Sequence, residues 1–450
     1  MEKLFGTDGV RGEANTKITP ELAFRLGKAG AYVLTKKTHH APKVIIGTDT
    51  RISCDMLECA LAAGMCSLGA EVICAGVVPT PGIAYLVKEH GFDAGVMISA
   101  SHNPFADNGI KFFSSDGYKL ADALEAEIEG LIENGLDALP RPAGSGVGRR
   151  RFKHDAAMDY IDFLERTLGG RRLDGLCVVM DCANGAAYEA APEIFKRLGA
   201  DVTVLFDAPD GENINAGCGS MHMESLRAYI KENSADIGIA FDGDGDRCLL
   251  ADENGDILDG DQILSILGNH FKAEGRLAED TIVVTVMSNL GMFRMGERQG
   301  IKLEKTNVGD RYVLERMREY GYTLGGEQSG HVIMTEFNTT GDGILTALHV
   351  CDIMNRAGEK LSAINRYMKK LPQVMINSTV SNDKKYKYME HPVIAEAIER
   401  INAKYAAIGR VLIRTSGTEP LVRVMIEGDD AAEIERDARE LAAMIERELA

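Results

Sequence analysis

No stretch of the 450-residue chain approaches the roughly 20 consecutive apolar residues a membrane-spanning helix needs. The opening MEKLFGTDGVRG holds no apolar signal core either, so the expectation is a protein neither exported nor anchored. Basic charge is scarce: 50 Lys and Arg face 68 Asp and Glu, a net charge of -18. A field of that sign repels nucleic acid and anionic lipid unless a basic face is segregated, so neither is expected as a partner. The one dense cationic cluster, Arg149, Arg150, Arg151 and Lys153 around Phe152, lies in a Pro/Gly-rich segment and reads as a solvated linker. Any anionic ligand must then be held by a few placed residues. The nine cysteines include no C-x-x-C pair and no compact framework, which argues against a disulfide scaffold and fits a reducing cytoplasm. Cys59 and Cys66, on an apparent helix, read as buried small apolar residues.

What is present is the usual mix for substantial cores, 45% apolar and 26% charged, in a chain long enough for about three domains. Thr19-Pro20-Glu21 sets an N-cap, a proline at the first helical position and an early acid ahead of a helix to about Lys37. The strand VIIG follows, then a helix around 55–68, a strand at 71–74, a helix opened by Thr80-Pro81 and stopped at Gly91, and a strand at 94–99. That alternation is α/β. Past the linker PRPAGSGVG at 140–148, a second series runs from about 155 to 254, with VVMD and IGIAFD as buried strands. A third begins near 258, with IVVTVM and YTLGGE as strands and GILTALHVCDIM as a helix. Shared rhythm without close identity points to internal repeats. From Leu371 the texture changes to a polar segment, a helix near 391–404, strands RVLIRT and LVRVMIEG, and a last amphipathic helix, which reads as a small α+β domain. Four lobes are expected, at 1–150, 151–255, 256–370 and 371–450.

Each lobe carries one chemically suggestive loop. In FDGDGDRC, Asp242, Asp244 and Asp246 alternate with glycines directly after an apolar strand. Acids so crowded repel one another unless a cation joins them, and hard carboxylate oxygens select Mg²⁺ or Ca²⁺. An EF-hand calcium loop, with Glu253 at its twelfth position, fails because Arg247 takes the place of the required glycine and strands rather than helices are expected to flank the loop. Magnesium with an open position is the better reading, with Arg247 placed to neutralise a phosphate. In SASHNP, Ser101 needs a base and an electrostatic clamp to act as a nucleophile. His102 and Lys111 can shuttle its protons. By itself the segment is a turn built from turn-forming residues; beside DGDGDR the serine becomes a phosphoryl carrier.

In GGEQSGH, Glu327, Ser329 and His331 alternate and so can face one direction from an extended segment, suiting sugar hydroxyls. In RTSGTEPLVR, Arg414, Ser416, Gly417, Thr418 and Arg423 surround a glycine turn able to cradle a phosphate. FGTDGVRG adds Arg11 on a glycine-rich bend.

In this order, FGTDGVRG, ISASHNP with DNGIKFF, DGDGDR, VGDRYV, GEQSGH and SGTEPLVRVM resemble the α-D-phosphohexomutase superfamily over essentially the whole chain, most of all its bacterial branch acting on glucosamine phosphates. The resemblance implies three related α/β domains with mixed sheets and a fourth, smaller α+β domain around a central cleft. It implies a phosphorylated Ser101, with Mg²⁺ bound by that phosphate and by Asp242, Asp244 and Asp246. Glu327 and Ser329 would hold sugar hydroxyls, while Arg414, Ser416, Gly417, Thr418 and Arg423 would hold the phosphate that is not reacting. The implied reaction passes through glucosamine 1,6-bisphosphate, which also activates, and feeds UDP-N-acetylglucosamine and cell-wall precursors. Ser101 would be loaded by a kinase or by self-phosphorylation, and a homodimer stays open. The nearest alternative puts the same machinery to work on mannose or glucose phosphates. A serine-dependent phosphatase and a non-catalytic divalent-cation sensor are the alternatives of other kinds.

Overall fold

A computed structural model describes residues 4–6, 8–36, 38–406, 408–415 and 420–449. The chain divides into two compact units, Met1–Met287 with Ile301–Arg366, and Ser288–Gly300 with Tyr367–Ala450.

The first unit holds three sheets. One runs β1-β5-β4-β2-β3-β6, from β1 (Val10–Glu13), β2 (Lys43–Thr48), β3 (Glu71–Val77), β4 (Ala94–Ile98), β5 (Asp107–Ser114) and β6 (Arg150–Phe152). The next runs β11-β10-β9-β7-β8, from β7 (Cys177–Asp181), β8 (Asp201–Leu205), β9 (Ile237–Phe241), β10 (Cys248–Ala251) and β11 (Ile257–Leu258). The third runs β13-β12-β14-β15, from β12 (Thr281–Thr285), β13 (Lys302–Thr306), β14 (Leu324–Gly326) and β15 (Val332–Met334). One four-strand motif recurs in all three. Its first strand pairs in parallel with its second and third, and its fourth folds back antiparallel on the third. The repeats expected from the sequence rhythm are therefore repeats of topology.

Helices cover the parallel strands, so β4, β9 and β12 are buried along their whole length and read as continuous apolar runs. The helix Pro20–Thr35 begins as its sequence dictates, with Thr19 Oγ1 accepting from the Leu22 amide at 3.2 Å. In the third repeat, Asp259 and Gln262 form a reciprocal capping box for Gly260–Ala273, and Asp342 caps Gly343–Ala357.

The second unit is a three-stranded antiparallel sheet, β16 (Gln373–Thr379), β18 (Leu421–Glu427) and β17 (Arg410–Thr415), in the order β16-β18-β17. Helices Pro392–Tyr405 and Ala431–Glu448 close its core through Ile394, Tyr405, Val424, Ile434 and Leu441.

Four local expectations are corrected. Arg150, Arg151 and Phe152 are an edge strand, parallel to β3, rather than linker. Arg11 lies in β1, opposite Gly109, rather than on a bend. Cys59 is exposed and Cys66 only partly buried, because the buried face of their helix is set by Cys54, Leu57, Leu61 and Met65. Residues 327–331 are the tight turn between β14 and β15, with the Glu327 amide donating to the His331 carbonyl at 3.0 Å, so the alternating side chains do not share one extended face.

Candidate active site

The three suggestive loops of the first unit occupy the same place in their repeats. Residues 99–106 join β4 to β5, 242–247 join β9 to β10, and 327–331 join β14 to β15, each leaving the carboxyl end of a parallel strand. Ligand sites of α/β sheets form at that end.

Ser101 is 1% exposed and holds a left-handed backbone, φ 54°. Its hydroxyl donates to Asp242 Oδ2 across 2.6 Å, joining the first repeat to the second, and the His102 Nδ1 atom lies 3.5 Å from Ser101 Oγ. The acidic loop folds inward until one carboxylate oxygen from each of Asp242, Asp244 and Asp246 lies within 4.8 Å of the others. All three residues are buried. Burial drives the Asp242 carboxyl well above the ordinary range, and the charges of Asp244 and Asp246 push the same way.

Counter-charge comes from the first repeat. Lys111 Nζ, itself buried, lies 2.6 Å from Asp244 Oδ2, 3.0 Å from Asp8 Oδ2 and 3.9 Å from Asp246 Oδ2. Burial works against its charged form, yet Asp244, Asp8 and Asp246 outweigh it and raise the Lys111 pKa. Burial alone would likewise raise the Asp244 carboxyl, but Lys111 and the Thr80 hydroxyl, 2.7 Å away, hold it below the carboxylate range. Asp8 is a hub that also accepts from Arg11 and, at 2.6 Å, from Lys119. Lys119 reaches on to Asp310 of the third repeat at 2.5 Å.

The acidic cluster has the donor set of a hard-cation site. Lys111 and Thr80 occupy only Oδ2 of Asp244, leaving buried Oδ1 atoms on Asp244 and Asp246 with no hydrogen-bond partner. Three converging carboxylates with spare lone pairs fit a hard divalent cation.

Arg247 and His102 meet at 3.4 Å, between the guanidinium Nη1 and the ring Nδ1. Burial, then Arg247 and Arg11, lower the His102 pKa to about 4, so the ring is neutral near pH 7. The Arg247 amide donates to Asp242 Oδ1 at 3.1 Å. His331 is buried between Asp246 Oδ1 at 3.5 Å and Asp310 Oδ2 at 3.6 Å. Its burial favours the neutral ring, but those carboxylates prevail and raise its pKa. Glu327 is half-buried and accepts from the Gly309 amide at 3.0 Å; Ser329 is exposed on the turn.

In the second unit Arg414 and Arg423 stand directly opposite each other in β17 and β18. Burial, and then the Arg423 charge, depress the Arg414 pKa. Like charges so registered repel across the strand pair. Ser416, Gly417 and Thr418 lie outside the described residues.

The structure thus gathers Ser101, His102, Lys111, the three aspartates, Arg247 and His331, with Arg11 attached through Asp8. Sequence reasoning missed Asp8, Thr80, Lys119 and Asp310. Asp8 sits three residues before Arg11 in a loop already singled out, and Asp310 lies in VGDRYV; Thr80 is marked in the sequence only as a helix start, and nothing local marks Lys119.

Four phosphoglucomutase/phosphomannomutase models match the chain: α/β/α domain I at 2–138, domain II at 158–255, domain III at 259–371 and the C-terminal domain at 375–444. The chain belongs to the phosphoglucomutase/phosphomannomutase family. Within that family it is 56% identical over 449 residues to the phosphoglucosamine mutase of Ruminiclostridium cellulolyticum, covering 100% of both chains. The phosphoglucosamine mutase of Clostridium acetobutylicum is 53% identical over 447 residues, 99% of each. A phosphoglucomutase/phosphomannomutase family protein from Burkholderia thailandensis has the same fold, with a TM-score of 0.83 at 24% identity over 100% of this chain and 99% of its own. So does the Aspergillus fumigatus N-acetylphosphoglucosamine mutase, solved in complex with GlcNAc-6P and magnesium, at TM-score 0.67 and 17% identity over 99% and 96% of the two chains.

Proposed function

We propose that this protein interconverts glucosamine 6-phosphate and glucosamine 1-phosphate as a phosphoglucosamine mutase. The observation that carries the reading is the buried Ser101 hydroxyl, 2.6 Å from Asp242 in a metal-ready acidic cluster, in a chain 56% identical end to end to a relative of that name.

In the forward direction, the Ser101 Oγ–P bond of the phosphorylated enzyme breaks as a bond forms between phosphorus and the sugar O1. The O1 proton leaves and a proton returns to Ser101. The resulting glucosamine 1,6-bisphosphate turns end for end. Ser101 Oγ then attacks the phosphorus of the 6-phosphate, losing its proton as the P–O6 bond breaks and O6 takes up a proton, which regenerates phosphorylated Ser101 and releases glucosamine 1-phosphate. A divalent cation at Asp242, Asp244 and Asp246, Mg²⁺ in our reading, supplies charge neutralisation for the phosphoryl group. His102 is neutral and adjacent to Ser101, the state a base needs. Lys111 is held as an ammonium, which suits donation to a phosphoryl oxygen. Arg247 and Arg11 add positive charge to the same region. Glu327, Ser329 and His331 take the sugar, while Arg414, Ser416, Gly417, Thr418 and Arg423 take the distal phosphate.

Four lobes at 1–150, 151–255, 256–370 and 371–450 belong to this proposal. So do loading of Ser101 by a kinase or by self-phosphorylation, and a reducing cytoplasmic setting that suits nine free thiols. Among the described residues no helix is long and apolar enough to cross a membrane.

The test is turnover of glucosamine 6-phosphate with Mg²⁺ and a trace of bisphosphate, beside mannose and glucose 6-phosphates. The amino sugar should be fastest and Ser101→Ala inactive while folded. Faster turnover of mannose or glucose phosphate reassigns the substrate. Stoichiometric free phosphate marks a phosphatase, and a Ser101→Ala protein that keeps its function and metal response marks a cation sensor.

A further inference from the structure

We propose that Arg51 and Asn215 clamp the backbone of the serine loop and act as positioning residues for phosphoryl transfer at Ser101, an inference that rests on the mutase reading. Ser101 sits at φ 54°, a region that L side chains with a Cβ disfavour and hold only when their surroundings impose it. Relaxing to an ordinary φ would swing the Cα–Cβ bond and carry the hydroxyl away from Asp242.

The restraint is a square of four hydrogen bonds. Arg51 Nη2 donates to the carbonyl oxygens of Ser101, at 3.1 Å, and Asn103, at 2.6 Å. Asn215 Nδ2 donates to the same two oxygens, each at 3.0 Å. Each carbonyl therefore has both acceptor sites engaged. The Ser99 hydroxyl accepts from the Ser101 amide at 3.0 Å and fixes the other side of the residue.

Both clamp residues are anchored. The Arg51 side chain is fully buried and ion-paired with Asp49, whose other oxygen accepts from the Arg51 amide at 2.9 Å. Asn215 holds a left-handed φ of 59°, which asparagine tolerates, and its amide donates to the Ala183 carbonyl at 2.9 Å. Arg51 follows β2 in the first repeat, whereas Asn215 belongs to the second, which also carries Asp242. Asn215 therefore ties the serine's backbone to the body that holds the hydroxyl's partner. Neither residue touches the reacting atoms.

The experiment uses the full-length enzyme with Asn215→Gly, which removes the amide but keeps the backbone, Asn215→Asp, which faces two carbonyl oxygens with a carboxylate, and Arg51→Lys, which loses the guanidinium fork. Each is assayed for kcat and KM on glucosamine 6-phosphate. Each is also treated with labelled glucose 1,6-bisphosphate, and phosphate on Ser101 is followed by mass spectrometry. Asn215→Gly should lower kcat by about 10- to 100-fold with KM little changed, and slow loading of Ser101 in parallel. Asn215→Asp should be worse than glycine despite matching the native shape, an order that a packing role would reverse. A folded Asn215→Gly enzyme with wild-type kcat and loading overturns the proposal, as does an aspartate variant better than glycine. Should Arg51→Lys fail to fold, the Asn215 pair decides. Wild-type enzyme that is neither loaded by bisphosphate nor active on any hexose phosphate removes the mutase reading and the clamp with it.

Discussion

Gly243 stands where the acidic loop passes closest to the serine loop, and alanine there perturbs the distance between them directly. A Cβ on Gly243 falls 2.5 Å from the Ser101 carbonyl oxygen, 2.8 Å from Asn215 Nδ2 and 2.9 Å from Ile214 Cδ1. The φ of Gly243 is not positive, so the effect is steric rather than conformational. The Ser101 oxygen cannot turn aside while Arg51 and Asn215 hold it. Restoring an ordinary contact of about 3.4 Å parts the loops by about 0.9 Å. If the hydroxyl moves with its backbone, the 2.6 Å bond to Asp242 opens to about 3.5 Å, beyond hydrogen-bonding range. Misplacement on that scale is worth about 100-fold in rate, or about 2.7 kcal/mol of transition-state stabilisation. Overpacking adds about 1–3 kcal/mol to the folding side. The assay is kcat on glucosamine 6-phosphate with Mg²⁺ and bisphosphate, with circular dichroism to establish that the variant is folded. KM should change little. A folded Gly243→Ala enzyme with kcat within about threefold of wild type would refute the reasoning.

Lys111→Met leaves Asp8 and Asp244 without the buried cation they share, which should lower stability by about 3–5 kcal/mol in chelator. Mg²⁺ should then raise the variant's urea midpoint more than the wild type's; equal midpoints in chelator would contradict the counter-charge role. Burial lifts the Asp342 carboxyl to about 6, so the folded state binds that proton more tightly than the unfolded chain. Its contribution to stability is full below about pH 4 and is lost as pH rises through about 6, on the order of 3 kcal/mol in all. Urea midpoints of wild type and Asp342→Asn between pH 4 and 7 should therefore converge or cross as pH rises; a constant difference would remove Asp342 as the source.

The α/β rhythm was readable because apolar runs such as AGVMI and IGIAF have the length and composition of parallel strands buried on both faces. Strand order was not, because pairing β4 with β2 rather than β3 depends on packing between distant segments. DGDGDR announced itself through charge repulsion that only a cation relieves. Glu253, the acid that tempted a calcium reading, instead accepts from the Ser362 amide at 3.3 Å. Thr80, Arg51 and Asn215 were illegible as site residues because each acts on a residue far along the chain, and a polar residue at a helix start or in a loop has many innocent explanations. The turn at 327–331 was misread as extended because alternation is visible in sequence while the Gly330 reversal depends on hydrogen bonds such as its amide to the Glu327 carbonyl, 3.0 Å. Residues 149–153 looked like linker because a three-residue edge strand carries no periodic signal.

Lys111 also bears on how the repeats depend on one another. Its ammonium belongs to the first repeat, yet its shortest ion pair, with Asp244 at 2.6 Å, is to a residue 133 positions later, in the second. Among the described residues, Asp8 is the one carboxylate ion-paired with it that comes from the first repeat, so that repeat by itself would bury the ammonium under-compensated. Close packing around β5 therefore requires the acidic turn, which couples the stability of the first sheet to the presence of the second.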